Sequence, residues 1–384
     1  MKIALIATDN REQHQRYELE EPYFEPAITA LLDGFASLGR NIEVHVVSSA
    51  KRAMKSPPTL KSGARFHSLR VPPIGWGKTA FAGCILATRR FLTALKPELV
   101  HGQGTERDCA MCAVHSGFPN LITIHGNMRR IHEMGLLGAP LYYRLAAALE
   151  DHALGRTSGT ICNSVHTETL VRNRTRRTWL VPNPLRSAFF SPRSAPRESG
   201  RIPTFITIGV VTNLKRPLQI LGVARKLHEK GYPVLFRFAG LNTLQDEYGM
   251  RFAAELEHGT AHGYAEFLGQ FGENELIAAM DESDACVHFP SEEAFGLVVA
   301  ECLARGLKMF ASDVGGIRDI VKGVDGAELF ENPEGLERGI IAWLEAGTPA
   351  PAPALDLMRS RYSPEGIASE HLRIYQEVLG KRRV

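Results

Sequence analysis

The sequence predicts an α/β protein built from two doubly wound domains. Three observations predict it. At 384 residues the chain is longer than one hydrophobic core usually supports, so two domains are expected. Short Val- and Ile-rich runs alternate with helical patterns almost throughout, as parallel strands joined by crossover helices do. A proline- and serine-rich stretch, Pro182 to Pro203, interrupts that alternation once and reads as a linker.

In the first half, strands are expected near residues 2–8 (KIALIAT), 42–48, 98–102, 121–126, 159–164 and 178–183. A second series follows the linker, near 205–211, 234–240, 265–269, 285–290, 307–312 and 327–330. After Gly347, TPAPAPALDLM reads as a proline-broken connection. SPEGIASEHLRIYQEVLG then reads as a helix with Ser363 as cap and Pro364 in the first turn. The expected division is 1–185 and 186–362, with a C-terminal helix, 363–384, packing back on the first domain. Open α/β sheets bind ligands at the carboxyl ends of their strands, so two such domains predict an interdomain cleft.

Composition narrows the function. A net charge of +3 with 23% charged residues is too balanced for a nucleic-acid binder. No run approaches the ~20 apolar residues that span a bilayer, and the apolar core of MKIALIATDN is short for a signal peptide. A cytoplasmic protein is expected. The cluster Arg172, Arg174, Arg176 and Arg177 reads as a solvated helix end, with contact to anionic lipid or a phosphorylated acceptor as the alternative. The six cysteines lack the density of a disulfide scaffold. Cys109 and Cys112 form a C-x-x-C without a second ligand pair, which favours core packing over zinc.

The segment His288 to Val321, HFPSEEAFGLVVAECLARGLKMFASDVGGIRDIV, carries the most chemistry. A helix starting near Gly296 leaves the amides of Gly296, Leu297 and Val298 unpaired and suited to a phosphate. Glu301 lies ~8 Å along that helix, a separation like that between a diphosphate and the ribose of its nucleotide. Glu293, before the helix, reaches the sugar side. The alternative is that Glu292, Glu293 and Glu301 only complement the helix dipole.

The Glu293 to Glu301 spacing, set in PSEEAFGLVVAECLARG and followed by ASDVGGIRDIV, resembles the donor signature of the family 4 retaining glycosyltransferases of the GT-B fold. TIGVVTNLKRPLQIL and FLGQFGENELIAAMDESDACVHFPS extend the likeness over nearly the whole second domain. The resemblance implies a nucleotide-diphosphate sugar as donor substrate, no cofactor, and Rossmann-like domains serving acceptor (first) and donor (second). It implies that Lys215 binds the diphosphate and that His125, in LITIHGNMRR, lies beside the transferred sugar, so His125, Glu293 and Lys215 are the expected catalytic group. The family's usual arginine five residues before the lysine is Val210 here, so Arg216 or another cation is expected to substitute. Backbone near Leu268 and Gly269 is expected to meet the base.

Other segments read less specifically. HGQGTERDCA places His101, Gln103, Thr105 and Glu106 in a strand-to-helix turn, read as acceptor-binding, with a Thr105 helix cap as the plainer alternative. Tyr23, Phe24 and Glu25 shape an acceptor pocket or form a surface lid. No Asp-x-Asp occurs, so a metal-independent transfer is expected, because Mg²⁺ needs clustered acidic oxygens. The acceptor, glycan, lipid carrier or small molecule, is left open. A nucleotide-sugar 2-epimerase and a non-catalytic sugar-nucleotide-binding protein are the competing readings.

Overall fold

A computed structural model describes residues 1–39, 42–193, 201–241 and 246–380. The chain divides into two compact units, Met1–Arg186 with Arg361–Val384, and Ser187–Ser360.

The first unit holds a seven-stranded parallel sheet. Its strands are β1 (Lys2–Ile6), β2 (Glu43–Ala50), β3 (Arg65–Arg70), β4 (Leu99–Gln103), β5 (Asn120–Ile124), β6 (Thr160–Cys162) and β7 (Thr178–Leu180), in the order β3-β2-β1-β4-β5-β6-β7. Every residue of β4 and β5 is buried, as expected of strands covered on both faces. Alternate side chains of β1 feed two cores. Ile3 and Leu5 join Leu31, Phe35, Ile367, Ile374 and Tyr375, so the C-terminal helix Pro364–Val378 completes this unit. Ala4 and Ile6 face Cys84, Leu92, Cys109, Cys112 and Leu154. All six cysteines are free and buried.

The second unit holds six parallel strands: β8 (Thr204–Ile208), β9 (Leu235–Ala239), β10 (Ala265–Gly269), β11 (Ala285–His288), β12 (Lys308–Ser312) and β13 (Ala327–Phe330), ordered β10-β9-β8-β11-β12-β13. In both sheets the order reverses between two central strands, β1 and β4 in one and β8 and β11 in the other. Such switch points open crevices at the strands' carboxyl ends, where ligands bind in folds of this type.

Three expectations need correction. The edge strand β3, RFHSLR, was not foreseen, because only Phe66 of its residues is buried and an edge strand needs no continuous apolar run. TPAPAPALDLM is not wholly an irregular connection: Leu355–Tyr362 is helical, with Met358 buried. Of the stretch 182–203, residues 194–200 lie outside the described residues. Its earlier part is not a bare linker, since the short helix Ser187–Phe190 buries Phe189 and Phe190. Ser363 stands at the N-cap position of the last helix but makes no side-chain capping bond, while Pro364 opens the first turn.

Candidate functional site

In the second unit, the turn after β8 and the loop after β11 flank the switch point. The turn is held by Gly209 N–H to Ala239 O (2.9 Å) and Val211 N–H to Leu241 O (2.9 Å). A Cβ on Gly240 would sit 1.9 Å from the Gly209 carbonyl, at φ +148°; only glycine permits that approach. Ser291 N–H to Leu214 O (2.8 Å) ties turn to loop.

This stitching brings Lys215 against Glu293. Lys215 Nζ lies 2.6 Å from Glu293 Oε2, and His288 Nε2, at the end of β11, lies 2.9 Å from the same oxygen. Among the described residues, Glu293 Oε1 takes no bond. Burial would raise the Glu293 pKa, but Lys215 and His288 overcome it and hold the carboxyl at about 2. Burial lowers the His288 pKa despite its carboxylate partner, so the imidazole is neutral near pH 7 and carries its proton on Nε2. Sequence reasoning missed His288. Its signal was its position five residues before Glu293, at a strand end.

Behind the loop, Gly316 N–H donates to Glu293 O (2.9 Å). Gly315, at φ +51°, has no room for a Cβ, which would fall 1.9 Å from that same carbonyl. The glycine pair thus fixes the backbone of the carboxylate. The helix Leu297–Ala304 begins after Gly296, which is left-handed at φ 104°. The first-turn amides of Leu297 and Val298 have no partner within the helix. Glu301 is 3% exposed and Glu292 7%, so neither solvates the helix start, and the helix has no acidic residue in its first turn.

Arg216 caps the helix Pro217–Glu229 with left-handed backbone (φ 55°), and its guanidinium lies 4.9 Å over the Phe289 ring. It therefore stands beside the same strand end as Lys215. Val210 is 42% exposed. Leu268 and Gly269 lie on β10, two strands from β8 and hence roughly 10 Å away by strand spacing. They are not in contact with the Lys215–Glu293–His288 cluster; Gly269 O instead accepts Gly240 N–H (2.8 Å).

In the first unit, His125 follows β5 and its Nε2 lies 2.9 Å from Gln103 Oε1 on β4. With that amide orientation Nε2 carries the proton and Nδ1, unbonded among the described residues, is an acceptor. Burial, with His371 adding to it, lowers the His125 pKa to about 4. It is a neutral imidazole, unable to serve as an acid near pH 7.

His101 needs correction as an acceptor-binding residue. It is 0% exposed, and both ring nitrogens are engaged, Nδ1 with Tyr375 Oη (2.7 Å) and Nε2 with Thr123 Oγ1 (2.7 Å). It supports Gln103 from inside the core. Thr105 does not cap a helix and is buried: its hydroxyl donates to Glu150 Oε2 (2.9 Å). Glu150, fully buried, also accepts from Met128 N–H (2.9 Å) and Arg174 Nη1 (3.1 Å). This carboxylate hub, unforeseen from sequence, anchors the segment after His125. Glu106 Oε1 accepts Gly126 N–H (2.6 Å), and burial raises the Glu106 pKa to about 7.

The arginine cluster is partly committed. Arg174 is bound to Glu150 and Asp151, and Arg177 pairs with Glu377 and stacks on Trp179. Phe24 belongs to the core at 8% exposure, while the Tyr23 ring stacks on His14 and the Tyr23 carbonyl accepts Asn10 N–H. Cys109 and Cys112 sit in apolar core, their thiols pushed well above the ordinary range by burial. Among the described residues no group of three His, Cys, Asp or Glu side chains could hold a metal ion, and no helix is long and apolar enough to cross a membrane.

Comparison with known proteins bears on this arrangement. Residues 193–354 match the family described as "Glycosyl transferases group 1", and residues 26–188 match "Glycosyltransferase Family 4". No curated protein matches by sequence. Sucrose-phosphate synthase from Thermosynechococcus elongatus superposes with a TM-score of 0.76 at 16% identity, over 100% of both chains. HepE of Anabaena, solved in complex with UDP and glucose, gives 0.71 at 15% identity over 97% of this chain and 99% of that one. OtsA gives 0.64 at 11% identity over 100% and 99%. At such identities the solved structures establish the fold alone, which is GT-B with two Rossmann-like domains. The two family matches together span both units, and the chain belongs to the family 4 glycosyltransferases.

Proposed function

We propose that this glycosyltransferase moves a sugar from a nucleotide-diphosphate donor to an acceptor with retention of anomeric configuration, and without a divalent metal. One observation carries the reading: an ionised, half-satisfied carboxylate, Glu293, is held by Lys215 and His288 beside the start of the helix Leu297–Ala304. On this reading Lys215, Arg216 and the amides of Gly296, Leu297 and Val298 take the diphosphate. The departing nucleotide develops negative charge, which preorganised cations and amide dipoles stabilise. Glu301 takes the ribose hydroxyls, and backbone at Leu268 and Gly269 is assigned to the base.

Glu293 Oε1, ionised near pH 7, accepts hydroxyl hydrogens of the sugar. A carboxyl with a pKa of about 2 is no general acid, which agrees with attack from the leaving-group face and with the departing phosphate taking the acceptor's proton. His125 Nδ1 accepts another sugar hydroxyl. Gln103 and Glu106 lie on the acceptor side, with the first unit binding acceptor and the second donor. HepE was solved with UDP, which supports UDP as the first nucleotide to test.

Calorimetric titration with UDP tests the donor assignment. Glu301→Gln is expected to weaken affinity by the ~1.5–3 kcal/mol of a lost charge-assisted hydrogen bond, and unchanged affinity removes Glu301 from the site. Turnover is expected to survive EDTA. Activity lost to chelation and restored by Mg²⁺ or Mn²⁺ overturns the metal-free mechanism, and an epimerised donor in place of transferred sugar overturns the transferase reading for the isomerase.

A further inference from the structure

Loops at the carboxyl end of the first sheet gather three cations that the reading above leaves unused. Lys51 and Arg52 directly follow β2, and Arg107 follows β4. Lys51 Nζ lies 5.0 Å from the Trp76 ring centroid and Arg107 Cζ 5.4 Å from the same centroid, so the two charges are no farther apart than the sum of these distances. Trp76 is itself fixed, 6% exposed and donating Nε1–H to Val71 O (3.1 Å). Arg52 Cζ lies 4.9 Å over the ring of Tyr17, and both Arg52 and Arg107 act electrostatically on the Tyr17 hydroxyl. Aromatic faces hold cations in place without neutralising them.

Among the described residues, the neighbouring carboxylates form an ion pair with Lys51 but not with the two arginines. Glu12, its side chain 1% exposed, accepts Lys51 N–H (3.0 Å) and pairs with Lys51 Nζ (3.0 Å). Glu106 is occupied by Gly126 N–H, and Asp108 is buried against Cys112 Sγ. Among the described residues neither Arg52 nor Arg107 has a carboxylate partner. After Lys51 pairs with Glu12, two guanidinium groups remain without an ion-pair partner among the described residues, set in loops after β2 and β4, on either side of β1 and next to the β1/β4 switch point. Two arginines match a phosphomonoester, which carries a charge of about −1.5 to −2 near pH 7 and offers three acceptor oxygens.

We infer that the acceptor bears a phosphate monoester, held by Arg107 and Arg52 with Lys51 at the carboxyl ends of β2 and β4. This rests on the first unit being the acceptor side. The phosphate belongs either to a sugar phosphate or to a lipid phosphate, and the two sources are separated by the probes.

Titrations in saturating UDP, which occupies the donor's phosphate site, would use glucose 6-phosphate against glucose, and farnesyl phosphate against farnesol in neutral detergent micelles. One phosphorylated probe is expected to bind at least tenfold more tightly than its uncharged counterpart. Arg107→Gln and Arg52→Gln are each expected to weaken that probe at least tenfold, Arg107→Lys less, with UDP affinity unchanged in all three. Equal binding of charged and uncharged probes, no binding of either phosphate, or indifference to both glutamine variants overturns the inference while UDP still binds. Failure of wild-type protein to bind UDP strikes instead at the donor reading beneath it. The lysine variant guards against a glutamine variant that merely misfolds: recovery of phosphate binding by charge alone is what a structural role would not give.

Discussion

The two switch points solve the same topological problem with opposite electrostatics. At β8/β11 the central group is charged: an ionised Glu293 between Lys215 and neutral His288. At β1/β4 and along β5 the central groups are neutral, with His125, Gln103 and His101 joined by hydrogen bonds that run into the core to Tyr375. Glu106 is shifted toward neutrality as well. The difference teaches that a buried ionised group and buried neutral ones call for different surroundings. The carboxylate needs compensation to stay ionised under burial, whereas the imidazoles need only burial to stay neutral.

The largest effect that sharpens this comparison is on the charged side. Lys215→Ala is expected to lower kcat by ~10² or more, as loss of a preorganised charge stabiliser does. Among the described residues it also leaves the buried Glu293 carboxylate with His288 as its remaining side-chain partner. A near-neutral Lys215→Ala beside a crippling Arg216→Ala moves the cationic role by one residue; both neutral removes the charged site from catalysis and favours a protein that binds donors without expelling the diphosphate.

The next concerns acid. His125 and His371 are held at about 4 chiefly by burial, and burial also lowers His45, His67, His101, His115 and His152. All seven lie in the first unit, against His288 alone in the second. A group with a folded pKa below its unfolded value binds fewer protons folded, so its stabilisation is present above the unfolded value and lost as pH falls. For His125 and His371 that window runs from about 6.5 down to about 4. For Glu293 it runs from 4.5 down to about 2. Glu106, raised to about 7, acts in the opposite sense, contributing below 4.5 and losing its contribution as pH rises through 7, but it is one group against seven. The first unit is therefore expected to lose protection before the second as pH drops from 7 to 4.5, read by pulse-labelled hydrogen exchange of peptides from each unit. Earlier loss in the second unit contradicts the electrostatic contrast.

The smallest effect tests the family's missing cation. Val210→Arg is expected to tighten UDP binding a few-fold, since Val210 is 42% exposed on the same turn as Lys215. Weaker binding in calorimetry shows that the turn has no room for a second cation there.

Much of the architecture was legible in the chain alone. Twelve of the thirteen strands among the described residues announce themselves as short apolar-rich runs between helical patterns, and β3, RFHSLR, escaped because polar and charged residues fill most of its positions and only Phe66 is buried. The glycine pair after β12 and the PSEEAFG segment were visible as local patterns, since backbone turns and helix starts are set by neighbouring residues. What the sequence by itself determined was thus the α/β class and the two series of strands, and it singled out Lys215, Glu293 and Glu301 as the candidates to which donor chemistry is assigned. Only the tertiary structure decided which polar residues are buried and what they touch. It turned His101 and Thr105 inward as supports, committed Arg174 to Glu150, and set His288 on Glu293. It also placed Lys51 and Arg107 against one tryptophan. Several such pairings join residues far apart in the chain, 22 positions for His125 and Gln103 and 78 for Lys215 and Glu293. Only the folded sheets bring them within hydrogen-bonding distance, and no local pattern records that.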